Sequence, residues 1–194
     1  MPSLIINLSC FIRRYGVPMA VATLLSFPAL ADEAGDIEWR HQVQRGSVTL
    51  KLNPLGSTQR QAFYVARGFT AEQIAPYARS CGFSIGFLNN SPQELHTDLR
   101  TWYVMDRAGQ KTSLRSPDAW DTEWARLQIA SAQRIAFRWA QFQRENTFEP
   151  GDWIMGMATL ERSVSGPFQL VAPYRLGQEI QEITIDGISC EVTE

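Results

Sequence analysis

Cys81-Gly82-Phe83-Ser84-Ile85-Gly86-Phe87-Leu88 is the stretch on which the fold class turns. Cys81, Phe83, Ile85 and Phe87 fall at every second residue, the period of a strand with one buried face. Asn89-Asn90-Ser91-Pro92 ends the run with turn chemistry. Upstream, Val48, Leu50 and Leu52 alternate with Thr49 and Lys51, giving a second strand over 47–52, closed by Asn53-Pro54-Leu55-Gly56-Ser57. Phe63, Val65, Arg67 and Phe69 also fall at period two, and 62–69 reads as a strand. Thr70 with Gln73 three residues later is a capping box that opens a short helix ending near Ala78.

Downstream, 99–105 reads as a strand, Asp106-Arg107-Ala108-Gly109 as a hairpin turn and 111–114 as its return. Ser116-Pro117-Asp118 is a helix start, and Trp120, Trp124 and Leu127 form an apolar stripe, so a helix is expected at 117–130. Ile135, Phe137 and Trp139 alternate again and predict a strand. After the turn Glu149-Pro150-Gly151-Asp152, strands are expected at 153–160, 168–176 and 179–185, with Asp186-Gly187 turning into a closing strand at 188–192. About nine short strands with one embedded helix and one helical turn fit a mainly β domain. An immunoglobulin-like β-sandwich is the first expectation and a small closed β-barrel the second; no internal repeat is read.

The N-terminus bears on compartment. Arg13 and Arg14 precede a nearly unbroken apolar or small stretch, Val17 to Leu30, which ends in Ala29-Leu30-Ala31. Charge, apolar run and small residues, in that order, make a secretory signal cleaved after Ala31. The expected product, 32–194, is a single periplasmic or secreted domain without a stable membrane anchor. It keeps 16 Lys and Arg against 20 acids, a net charge of −4, which argues against nucleic acid as a partner. Cys10 leaves with the signal. Cys81 and Cys190 remain, an even number in an oxidising compartment, and are expected to form a disulfide.

Chemistry-bearing motifs are sparse. Gly82-Phe83-Ser84-Ile85-Gly86 matches the G-x-S-x-G hydrolase pattern, but it sits inside an alternating strand where a strand-to-helix elbow is required. His96 follows Ser84 by only 12 residues, a poor order for a triad. A serine hydrolase therefore ranks last. Met155 and Met157 place two thioethers on one strand face, and with His41 or His96, or Met105, they compose a weak candidate set for copper. No other cofactor is expected. Trp102, Trp139 and Trp153, with Arg138, are the candidates for a contact face, because Trp and Arg concentrate binding energy. The leading expectation is a non-enzymatic exported module that binds an envelope protein or a small ligand; a periplasmic copper-binding or copper-delivery protein comes second.

Overall fold

The computed structural model describes residues 38–164 and 166–191. The expected signal segment and its cleavage site lie outside the described residues. Among the described residues ten strands and four helices occur. The strands are β1 (His41–Arg45), β2 (Val48–Leu55), β3 (Gly82–Asn89), β4 (Leu95–Asp98), β5 (Tyr103–Met105), β6 (Lys111–Arg115), β7 (Glu145–Phe148), β8 (Trp153–Leu160), β9 (Phe168–Leu176) and β10 (Glu179–Ile188). The helices are α1 (Ser57–Val65), α2 (Ala71–Ala78), α3 (Pro117–Arg126) and α4 (Ser131–Trp139).

The fold is mainly antiparallel β and sandwich-like, in the class expected. One open sheet runs β1-β2-β3-β8-β6-β5-β9, with β10 on one edge of β9 and β5 and β4 on the other. A 3-10 turn at Leu99–Thr101 breaks what would be one long strand, so β4 and β5 share that edge. β6 is the corner: Leu114 and Arg115 pair with β8, while Ser113, Thr112 and Lys111 pair with β5. Folding over at β6 brings the inner faces together around Leu50, Leu52, Phe83, Ile85, Phe87, Trp102, Tyr174 and Ile183. The curl carries β10 back against β1, where Arg45 donates to the Glu182 carbonyl. No ladder joins these two strands, so the sheet is not a closed barrel.

Two expected strands are helices. In α1 the inward residues are Arg60 and Tyr64, one helical turn apart, and Val65 faces solvent. Phe63, Val65 and Phe69 alternate without sharing a buried side, and the inward arginine hid the helical period. In α4 only Phe137 is buried, while Ile135 and Trp139 lie together on the outer side, so their alternation is not that of a strand. The chain gains β1, β4 and β7, each only four or five residues long. Strand 99–105 shrinks to β5, and helix 117–130 ends at Arg126. Asp186-Gly187 is a bulge inside β10, and no separate strand follows it among the described residues.

The helices cover the outer face of the sheet as two hairpins, α1–α2 and α3–α4. Their interface is a second core of Tyr64, Phe69, Ile74, Tyr77, Trp120, Trp124, Ile129 and Phe137. These rings meet mostly edge to face, and Trp120 and Trp124 stack at 5.2 Å. Trp120 Nε1 donates to Thr159 Oγ1 of β8 at 2.9 Å, which ties the second hairpin to the sheet. After α4 the chain crosses β8 so tightly that a Cβ on Gly156 would sit 2.3 Å from the Phe142 nitrogen.

Candidate functional site

Between the hairpins and the sheet lies a buried polar triad. Gln141 Nε2 donates to Tyr64 Oη at 2.5 Å, Tyr77 Oη donates to Gln141 Oε1 at 3.4 Å, and Tyr64 Oη donates to Met157 Sδ at 3.7 Å. Burial pushes both phenols up, Tyr77 to about 12, so both stay neutral and act as hydrogen-bonding fasteners. Met157 is thereby committed to the helical core.

The solvent side of α4 is different. Ile135 is 57% exposed and Trp139 83%, side by side at i and i+4. Beside them Arg134 grips Asp121 of α3 through Nε at 2.8 Å and Nη2 at 2.7 Å, and Arg138 Nη2 reaches the same carboxylate at 3.1 Å. The Arg134 hydrogen bond is the main cause holding the Asp121 carboxyl below its usual range. Two guanidinium groups share one carboxylate, so the face keeps a net positive charge. Asp121 of α3 and five α4 residues, Ser131, Arg134, Ile135, Arg138 and Trp139, line an open depression of about 420 Å³.

The hairpins supply an internal control. Arg60, Tyr64, Phe69, Gln73 and Tyr77 recur, shifted by 60 residues, as Trp120, Trp124, Ile129, Gln133 and Phe137. The backbone repeats as well. Gly68 and Gln128 both have positive φ, and the Phe69 and Ile129 amides donate to the Tyr64 and Trp124 carbonyls. On this correspondence Ile135 and Trp139 of α4 match Ala75 of α2 and Arg79, the residue that caps its C-terminus. The exposed apolar pair is thus absent from the related helix.

The expected site residues are dispersed. Trp139 and Arg138 belong to the α4 face. Trp153 is 61% exposed on β8, where it pairs with Leu88 of β3. Trp102 is fully buried, with Nε1 donating to the Pro173 carbonyl at 3.0 Å, so it forms no part of an exposed face. Met155 is 43% exposed. It and Met157 lie opposite Gly86 and Ser84 on the outer side of the sheet, whereas His41 lies opposite Leu52 on the inner side. β1 is also three strand intervals from β8, about 14 Å. His96 is on β4, held by Glu94 at Nε2 and by Thr147 Oγ1 at Nδ1, 2.9 Å. Met105 is on β5. These side chains do not form one site, and no cluster of three His, Cys, Asp or Glu ligands occurs among the described residues. Ser84 on β3 has no histidine beside it; it pairs with Asn53 and Met157. Cys81 and Cys190 form the expected disulfide, with Cα atoms 5.3 Å apart.

Ile135 and Arg134 were not among the candidate site residues read from the sequence. The shift of 60 between the hairpins is the signal that finds them, since it identifies 131–139 as a helix with the register of α2.

No family model matches the chain, and no curated protein matches it in sequence. Among solved structures it is similar to the crystal structure of a DUF4426 family protein from Pseudomonas aeruginosa PAO1. The identity is 17%, the alignment covers 75% of this chain and 91% of that one, and the TM-score is 0.32. So loose a likeness adds nothing to the architecture described above.

Proposed function

We propose that the chain is exported, is cleaved after Ala31, and works outside the cytoplasm as a non-enzymatic module that binds a partner protein through the outer face of α4. The observation that carries this reading is the exposure of Ile135 and Trp139 where the related helix has Ala75 and Arg79. A free Trp beside Arg is the usual composition of a binding hot spot. Charge narrows the partner: with Arg134 and Arg138 sharing only Asp121, the complementary surface carries a carboxylate next to an apolar side chain. The Cys81–Cys190 disulfide supports an oxidising compartment.

A photo-crosslinking amino acid at Trp139, with the same group at Ala75 as control, tests the reading in intact cells. The expected result is a discrete adduct from position 139, absent from position 75 and weakened by Arg138→Glu. The captured chain should begin at Asp32. No adduct, equal adducts from both positions, or an adduct indifferent to Arg138→Glu overturns the assignment.

A further inference from the structure

The outward side chains of α4 fall into two rows. Ala132, Ile135 and Trp139 are all exposed, at spacings of three and then four residues. That spacing keeps them on one side of the helix for two turns, about 10 Å along its axis. Arg134 and Arg138, four residues apart, make a second row on the side of α3, where both hold Asp121. Phe137 marks the opposite side, which is buried.

Alternating spacings of three and four are those with which one helix packs along another. The fold does not require this row. With the shift of 60 between the hairpins, its three positions correspond to Glu72, Ala75 and Arg79, a set with an acid at one end and a base at the other. The row also grows in one direction, from the small Ala132 to the large Trp139, so a neighbour can approach the backbone closely at the N-terminal end of α4.

The backbone narrows what can lie there. The flank of a helix offers no free donor or acceptor, because its N–H and C=O groups bond within the helix. An extended segment laid along α4 would have to leave its own backbone groups on that side unpaired. A helix brings its hydrogen bonds with it. Charge narrows the occupant further. Arg134 commits Nε and Nη2 to Asp121, whereas Arg138 gives that carboxylate one contact at 3.1 Å and its side chain is 53% exposed. Two cations against one anion leave the edge of the row positive, next to Ile135 and Trp139.

We infer that the partner docks an amphipathic, acidic helix of about three turns along Ala132, Ile135 and Trp139, with its apolar side chains in this row and an aspartate or glutamate against Arg138. The inference rests on the reading of α4 as the partner-binding face and adds the partner's secondary structure and charge.

The test uses the full chain in intact cells, with the photo-crosslinking amino acid at position 135 and, separately, at position 139. The trapped residues of the partner are then mapped by mass spectrometry. The two positions should trap residues three or four apart in the partner, with an acidic residue in the same segment. Ala132 is exposed, so Ala132→Trp should leave the fold intact while blocking the close approach, and should lower the adduct from position 139 about tenfold. Ala132→Ser should leave that adduct unchanged. Trapped residues two apart, the signature of an extended segment, overturn the inference but not the binding face. The same holds if both positions trap the last residue of a chain, or if Ala132→Trp gives full adduct. Absence of any adduct from either position overturns the binding face and this inference with it.

Discussion

The two helical hairpins share a backbone plan and solve opposite problems with it. Both put a residue of the first helix at the same inward place, Arg60 in one and Trp120 in the other, and both close on an aromatic at the same position of the second helix, Tyr77 or Phe137. The first hairpin holds itself to the sheet by polar means: the Arg60 guanidinium clamps the carbonyls of Leu55 in β2, of Ala78 and Ser80 at the end of α2, and of Gly82 in β3. The second is held through a Trp: Arg115 of β6 lies over the Trp120 ring at 3.7 Å, and Trp120 Nε1 donates to Thr159 of β8 at 2.9 Å. Their outer sides are reversed. α2 buries Ile74 and turns Arg79 outward, while α4 turns Ile135 and Trp139 outward and spends Arg134 on an ion pair. An equivalent backbone with opposite surface chemistry separates what the fold requires from what it does not. The inward aromatics are common to both hairpins and belong to the fold; the exposed Trp139 is peculiar to one.

The sharpest way to break this comparison is to delete each anchor. Arg60→Ala and Trp120→Ala should each cost roughly 3–5 kcal/mol in urea unfolding, one by orphaning carbonyls and the other by opening a cavity. Conservative replacements then part them. Arg60→Met should still cost about 2 kcal/mol or more, because the carbonyls of Leu55, Ala78, Ser80 and Gly82 lose their donors. Trp120→Phe should cost about 1–2 kcal/mol. If Arg60→Met is as stable as the parent, the polar clamp is not what holds the first hairpin down.

Two glycines give the next effect. A Cβ on Gly156 meets the Phe142 backbone at 2.3 Å, and a Cβ on Gly82 meets the end of the Arg60 side chain at 2.8 Å. Backbone cannot move aside and a side chain can, so Gly156→Ala should cost about 3 kcal/mol and Gly82→Ala about 1. A reversed order in chemical denaturation would mean that the Arg60 clamp is stiffer than the crossing of β8 by the chain.

The smallest effect is in acid. Asp121 has a depressed pKa in the folded chain, so its contribution is present above the ordinary carboxylate range near 3.9 and is lost as pH falls through its folded value. Glu72 of the first hairpin is also depressed but lies exposed at a helix start. The second hairpin should therefore lose more stability than the first as pH falls below the ordinary carboxylate range. Hydrogen exchange resolved by hairpin measures this, and Asp121→Asn should abolish the difference. An unchanged difference in that variant would remove Asp121 as its cause.

Much of the architecture was readable because burial left a plain period. β3 has Phe83, Ile85 and Phe87 on its inner side, and the Thr70 and Ser116 caps are where their spacing put them. The disulfide followed from counting. The helices α1 and α4 were not readable by the same means. Their inward stripes are an arginine with a tyrosine and a lone Phe137, while their exposed apolar residues mimic alternation. β4 and β7 have four residues each, too few for a period to show. Of the α4 face, Trp139 and Arg138 stood out by residue type alone. Ile135 and Arg134 needed the helix, and Asp121 needed the neighbouring helix on which it sits.

The meeting of β10 with β1 joins segments far apart in the sequence. The first and last strands of the domain lie side by side, joined by Arg45 reaching the Glu182 carbonyl, and the Cys190 partner of Cys81 comes 109 residues later. A chain emerging from its N-terminus can assemble β1, β2, the first hairpin and β3 early. β10 arrives last and packs beside β1 without forming a ladder with it. Contacts this distant in sequence slow folding, and an open strand edge is a template for pairing with another chain. A chain truncated before β10 loses the Arg45–Glu182 contact and the Cys81 partner together, and should self-associate more readily than the full chain.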